Sequence, residues 1–200
     1  MSIEKLKNDI GNIDIYLLDQ ILKERYKPNA IILDAGCGNG RNLKWFYNNS
    51  FSIYGVDANP SRIEAAKEKY PKIANQLSVQ NLDVLSFRND TFDHVVCSAV
   101  LHFAQNKSHF FNMISELVRV LKPGGSFFIR MTSIESIESF VKPITDDGVY
   151  LLPDKTNRFL LTDSTLGLII STYNLNLLEP KKYVNVNNER CMCTLVFSKN

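Results

Sequence analysis

No run of residues in this 200-residue sequence approaches the uninterrupted apolar length of roughly 18 that a membrane-crossing helix requires. The N-terminal stretch Met1-Ser2-Ile3-Glu4-Lys5 mixes charges from the start and lacks an apolar segment or small-residue cleavage site, so a cytoplasmic location is expected. Cysteine is scarce and without the spacing of a disulfide framework. Cys37, Cys97, Cys191 and Cys193 read as buried thiols, and the Cys191/Cys193 pair lacks the further ligands that a metal would need. An excess of one charge is missing too. With 23 Lys and Arg against 21 Asp and Glu, the net charge of +2 marks no nucleic-acid footprint. The one late basic pair, Lys181-Lys182, reads as a solvated edge. The phosphate-loop pattern G-x-x-x-x-G-K-[ST] is also absent, which excludes that class of nucleotide site.

What is present is an alternation of short apolar runs with amphipathic stretches. Leu17, Leu18, Ile21 and Leu22 predict a helix from Asp14 to about Tyr26, ended by Lys27-Pro28. Strands are expected over 30–34, 52–57, 77–80, 92–98 and 126–131, with helices over 41–48, 60–70 and 107–121 between them. Asn59 suits the cap of the 60–70 helix and Pro60 its first turn. Phe110, Met113, Ile114, Leu117 and Leu121 form the apolar face of the 107–121 helix, which Pro123-Gly124-Gly125 should stop. Strands and helices alternating at this spacing imply a doubly wound α/β sheet with helices on both faces. After a loop or lid over 141–158 and a helix over 162–173, the runs 176–186 and 191–198 are separated only by residues 187–190. So short a link forces an antiparallel hairpin.

The chemistry concentrates in Leu33-Asp34-Ala35-Gly36-Cys37-Gly38-Asn39-Gly40-Arg41-Asn42, between the first strand and the first helix of the alternation. Glycines at alternate positions allow a sharp turn and close approach to a ligand. The second strand ends in Tyr54-Gly55-Val56-Asp57, where a carboxylate can accept from both hydroxyls of a ribose. Together these features indicate a nucleoside-containing ligand. Arg41 stands where a dinucleotide turn has its third glycine. Asp34 would repel a pyrophosphate yet attract an ammonium group. The balance favours S-adenosylmethionine over NAD.

With these residues in view, the sequence resembles the class I, Rossmann-like S-adenosylmethionine-dependent methyltransferases. The likeness extends from the glycine turn and Asp57 through Leu82-Asp83-Val84, Phe92-Asp93-His94-Val95-Val96, Ala99-Val100-Leu101-His102-Phe103 and Leu121-Lys122-Pro123-Gly124-Gly125. The segment 38–42 is similar to small-molecule and tellurite-resistance methyltransferases. The resemblance implies a seven-stranded sheet of order 3-2-1-4-5-7-6, with strand 7 alone antiparallel. It implies one domain over 1–200, with a helical lid (1–28), a cofactor-binding core (29–131) and a final part carrying lid loop, helix and hairpin (132–200). It also implies roles. Gly36, Cys37, Gly38 and Gly40 would pass under the methionine end, with Asp34 near its ammonium. Asp57 would hold the ribose, Ala58 and Asn59 would flank the adenine, and Leu82, Asp83 and Val84 would form its edge. Ser98 and Ala99 would face the sulfonium.

Methyl transfer from a sulfonium is a displacement on an activated carbon, so alignment is the protein's main task. A base is needed only where the acceptor must lose a proton, and His102 is the candidate; its other reading is a histidine that packs locally. Tyr16, Phe103, Arg130 and Arg158 are expected at the acceptor pocket, with walls that are mostly apolar or aromatic and carry few fixed charges. The fourth strand lacks an Asn-Pro-Pro-Tyr type of motif, no Pro-Cys offers a thiolate, and a two-glutamate loop is missing. By elimination this leaves a small-molecule acceptor and no nucleic-acid or membrane partner. Oligomeric state cannot be read from the sequence. Two other functions stay open: an NAD-linked oxidoreductase, and a non-catalytic module that binds S-adenosylmethionine.

Overall fold

The computed structural model describes residues 2–200; Met1, where the charged N-terminal stretch begins, lies outside them. Eleven strands and six α-helices follow one another along those residues. The core alternation runs β1 (Ile31–Ala35), α3 (Leu43–Asn48), β2 (Ser52–Asp57), α4 (Pro60–Lys69), β3 (Leu77–Val79), β4 (Phe92–Ser98), α5 (Lys107–Val120) and β5 (Leu121–Ser133), preceded by α1 (Ile3–Ile10) and α2 (Ile15–Leu22). Then come β6 (Lys142–Pro143), β7 (Val149–Leu151), β8 (Asn157–Phe159), α6 (Asp163–Tyr173), β9 (Leu175–Leu177), β10 (Lys182–Val186) and β11 (Arg190–Lys199).

The large sheet has the order β10-β11-β5-β4-β1-β2-β3, with β9 also paired to β11. β11 runs antiparallel to β5, β9 and β10, while β1 to β5 are mutually parallel. The order expected from sequence is therefore observed, with its sixth strand divided into β9 and β10. The division falls at Leu178-Glu179-Pro180-Lys181, where proline has no N–H to continue the ladder.

Alternation along each strand feeds two cores. Leu33, Val95, Phe127, Ile129 and Leu195 face α5 and α6, packing with Phe110, Ile114, Leu117, Leu166 and Ile169. Ile32, Val96, Phe128 and Val196 face the other way, against Leu17, Ile21, Leu43, Phe46, Ile63 and Ala66. Helices thus cover both faces, which is why the parallel strands are apolar nearly throughout. Each fully buried Phe or Leu contributes about 1.5–3 kcal/mol.

Several elements differ from expectation. α1 was not among the expected helices; it sets Ile3, Leu6 and Ile10 at helical spacing yet fully buries none of them, and Ser2 Oγ caps it by accepting from Lys5 N at 3.2 Å. α2 ends at Leu22 rather than near Tyr26, because Glu24 turns to φ +52° and the chain dives to bury Tyr26. β5 begins at Leu121, so Pro123-Gly124-Gly125 lies within the strand, where a register shift between Phe92 and His94 absorbs it. The 141–158 segment is a three-stranded antiparallel sheet, β6-β7-β8, not a loop. Its own small core of Ile137, Val141, Leu152 and Leu160 holds it. Lys182 is no solvated edge either: it bonds Asp19 at 2.8 Å and Glu179 at 3.0 Å, tying β10 to α2.

Candidate functional site

β1, β2 and β4 end on one side of the sheet, and three tight turns open a cleft there, as parallel sheets do at their carboxyl ends. Gly36 N and Cys37 N both donate to Val56 O, at 2.8 and 2.9 Å, which folds the chain back sharply after β1. Gly36 has φ +80°, and a Cβ there would stand 2.2 Å from Val100 Cγ2. Gly40 has φ +79°, its carbonyl accepts from Tyr70 Oη at 2.8 Å, and a Cβ would meet the Tyr70 ring at 2.5 Å. Gly38 differs: φ is +56°, but only Arg62 Cδ approaches the added carbon, at 4.0 Å. The first and third glycines are thus demanded by packing, the middle one by backbone conformation alone.

Asp57 is the pivot between the turn and β2. Its Oδ2 accepts from Gly38 N and its Oδ1 from Asn59 N, each at 2.9 Å. A carboxylate has about four lone-pair sites, so capacity remains for two ligand hydroxyls. Asn59 Oδ1 accepts from Ser61 N and Arg62 N, so that side chain caps α4, as read from sequence.

A cavity of about 690 Å³ gathers Gly36, Asp57, Ala58, Leu82, Asp83 and Phe103 from the expected set. Arg62, Gln80, Asn81 and Val100 line it as well, and the start of α5 closes the far wall with Gln105, Asn106, Ser108, His109, Asn112 and Met113. None of these ten was expected to bind the cofactor or border the acceptor. Their only sequence signal is adjacency to the strand ends. A smaller cavity of about 300 Å³ holds Cys37 and Gly38 with Asn39, Arg41 and Asn42, and shares Arg62 with the first.

The remaining expected residues line neither cavity. Asp34 is buried, and its Oδ2 has no partner. Burial pushes its carboxyl up to about 7; Arg41 pulls it down, and Asp57 and Asp14 add to the rise. Such an orphaned acceptor beneath a glycine turn suits a cationic ligand group. Gly40 lies behind the turn on Tyr70. Val84 is exposed and borders neither cavity. Ala99 sits at φ +63°, a strained conformation for alanine, with its N donating to Arg130 O at 2.6 Å.

Ser98 belongs to a cluster that the sequence did not reveal. Asp14 caps α2 by accepting from Tyr16 N at 3.0 Å, and its Oδ2 also accepts from Ser98 Oγ at 2.9 Å. Arg41 and Arg130 reach the same oxygen at 3.3 Å each. Asp14 read only as a helix start, and Arg41 only as a missing glycine. Nothing in linear order joins residues 14, 41, 98 and 130.

His102 is buried; its Nδ1 accepts from Thr132 N at 3.3 Å and its ring lies 4.6 Å from that of Phe103. Burial, with Arg158, Arg190 and Arg130 nearby, lowers its pKa to about 4, so it is neutral at pH 7. Three arginines in this wall depart from the expectation of few fixed charges. They come from β5, β8 and β11, which only the sheet topology brings together.

A model of the methyltransferase-domain family matches residues 33–129. The "Probable tRNA methyltransferase 9B" of Bos taurus is 33% identical over 58% of this chain and 24% of its own length. The "tRNA (carboxymethyluridine(34)-5-O)-methyltransferase" of Arabidopsis thaliana is 33% identical over 56% of the chain and 26% of itself. The chain thus spans about a quarter of the length of these curated relatives. Among solved structures, an S-adenosylmethionine-dependent methyltransferase from Methanosarcina mazei superposes with a TM-score of 0.74, covering 90% of this chain and 96% of that one at 21% identity, a likeness of fold.

Proposed function

We infer, from the methyltransferase-domain family that residues 33–129 match and the Rossmann-like fold around them, that this chain is a class I S-adenosylmethionine-dependent methyltransferase. The observation that carries the reading is the convergence of the Gly36 turn, Asp57 and Asp83 on one cavity at the strand ends, above the unpartnered Asp34 oxygen. When bound, S-adenosylmethionine supplies an electrophilic methyl carbon on a sulfonium.

The chain's own part is binding and alignment. Asp57 accepts from the ribose hydroxyls, Ala58 and Asn59 flank the adenine, and Leu82, Asp83 and Val84 form its edge. Gly36, Cys37, Gly38 and Gly40 let the methionine end approach the backbone, with Asp34 accepting from its ammonium. Ser98 and Ala99 border the sulfonium. On this reading the whole chain, 1–200, acts as one domain with α1 and α2 as its lid.

The acceptor is a small molecule bordered by Tyr16, Phe103, Arg130 and Arg158. Two relatives are named tRNA methyltransferases, but the likeness covers 58% and 56% of this chain and about a quarter of theirs, so it supports the donor more than the acceptor. Transfer depends chiefly on orientation. His102, with its Nδ1 engaged and its basicity depressed, serves to hold the Phe103 turn; a role as general base is the second reading.

The test is calorimetry with S-adenosylhomocysteine and NAD, followed by a screen of small molecules and total tRNA for formation of S-adenosylhomocysteine. Binding of the nucleoside with turnover on a small molecule is the expected result. Binding of NAD alone would overturn the reading. Nucleoside binding with no turnover on any acceptor class would favour the non-catalytic module.

A further inference from the structure

Charge is unevenly spread around the cleft. Asp34, Asp57 and Asp83 lie on the side proposed for S-adenosylmethionine, whose sulfonium and ammonium outweigh its one carboxylate. Arg130, Arg158 and Arg190 gather instead around His102, beside Phe103. Three guanidiniums here meet two carboxylates, and one of those is already shared: Asp14 bonds Arg41 as well as Arg130, each at 3.3 Å. Asp154 bonds Arg190 at 3.3 Å. Arg158 has no ion pair among the described residues. It lies 4.6 Å over the ring of Phe103, which is 57% exposed at the cavity, and donates only to the carbonyl of its neighbour Asn157 at 2.6 Å. Arg130 sits 5.2 Å over the Tyr16 ring, and its Nε is buried with no partner.

Arg158 is therefore held by an aromatic face rather than neutralised, while Arg130 shares its one carboxylate with Arg41. A partly buried guanidinium with unused donors is stabilised by an oxyanion, which its planar fork can bind with two parallel hydrogen bonds. Tyr16 and Phe103 add apolar surface on either side. Resting on the methyl-transfer reading, we propose that the acceptor is a small anion, bearing a carboxylate or phosphate group anchored by Arg130 and Arg158 between Tyr16 and Phe103.

The experiment uses the full chain loaded with S-adenosylhomocysteine for binding, and with methyl-labelled S-adenosylmethionine for transfer. The probes are matched pairs: phenylacetate, cinnamate and succinate against their primary amides, and phenyl phosphate against phenol. The acids or the phosphate should bind at least tenfold better than their neutral partners, and the two arms tell carboxylate from phosphate. Arg158→Gln and Arg130→Gln should raise the acceptor KM tenfold or more with kcat changed less, and Arg158→Lys should recover part of the loss. S-adenosylhomocysteine affinity should stay within twofold in the Arg158 variants. Neutral probes bound as well as the anions, or an acceptor KM unmoved by Arg158→Gln, would overturn the proposal. So would an Arg130→Gln protein that loses S-adenosylhomocysteine instead, since that arginine would then serve the cofactor's carboxylate. If wild-type protein does not bind S-adenosylhomocysteine at all, the methyltransferase reading itself fails, and calorimetry detects this before any acceptor is added.

Discussion

Between Asp34 and Asp57 the cleft is shaped by backbone, whereas the wall opposite is assembled from side chains of residues 14–16, 102–103, 130, 158 and 190. In the first region a 24-residue stretch closes on itself, with Gly36 N and Cys37 N on Val56 O and Gly38 N on Asp57. In the second, ion pairs and aromatic faces join five separate parts of the chain. Backbone geometry tolerates little change, so one pattern serves many proteins, while a wall of long side chains can be altered residue by residue. The donor side of such an enzyme is accordingly general, and the acceptor side is where specificity resides.

The largest effect expected is from Gly36→Ala, which would break the first region outright. The added carbon would stand 2.2 Å from Val100, at a backbone angle that strains any side chain. Affinity for S-adenosylhomocysteine should fall about a hundredfold or more, with the melting temperature several degrees lower; titration calorimetry and circular dichroism check both. Gly38→Ala sharpens the point, because it meets open space and carries only the conformational penalty of about 1 kcal/mol. Equal losses from the two substitutions would mean that packing against Val100 is not what the turn requires.

Asp57→Ala comes next. It removes two charge-assisted hydrogen bonds from the turn, each worth about 1.5–3 kcal/mol, besides any to the ribose. Nucleoside affinity should drop more than tenfold, and an unchanged dissociation constant would remove Asp57 from the site.

A smaller effect is expected from pH. Burial raises the Asp34 carboxyl from its unfolded value of 3.8 to about 7, so between those values the folded protein binds more protons than the unfolded chain. Stability contributed by this group therefore falls as pH rises through that window, by up to about 1.4 kcal/mol per pH unit. A ligand ammonium beside Asp34 favours the charged form, so nucleoside affinity should rise up to tenfold per unit from pH 5.5 toward 7. Proton release on binding, seen as a buffer-dependent heat, checks this; a flat profile in Asp34→Asn and a sloped one in wild type would assign it.

The smallest effect on turnover is expected at His102, in the second region. His102→Asn keeps a polar group near Thr132 N, and kcat should change less than tenfold while the melting temperature falls. A loss of 10²–10⁴ in kcat, with cofactor affinity intact, would make His102 the base after all.

The strand order was legible because it rests on local signals. Apolar runs of 4–7 residues bounded by turn residues mark parallel strands, and a four-residue link cannot carry a parallel crossover. The hairpin tip does what such a link must: Asn187 and Asn188 adopt positive φ and Glu189 N closes on Val186 O at 2.9 Å. α1 places Ile3, Leu6 and Ile10 on one face, but at eight residues it is too short for that period to stand out from chance. The 141–158 sheet was read as loop because strands of two or three residues are too short for alternation to show.

What the sequence by itself determined is the glycine turn: the glycines, Asp34 and Asp57 stand at strand ends that hydrophobic periodicity locates, and backbone chemistry does the rest. Only the tertiary structure decided the clusters around Asp14 and His102. Asp14 between Arg41 and Arg130, Arg158 on Phe103, and His102 under Thr132 are contacts between residues 27 to 116 positions apart. Ion pairs and cation–aromatic contacts leave no period in a sequence, since a charged residue at any position can satisfy them once the fold has brought it there.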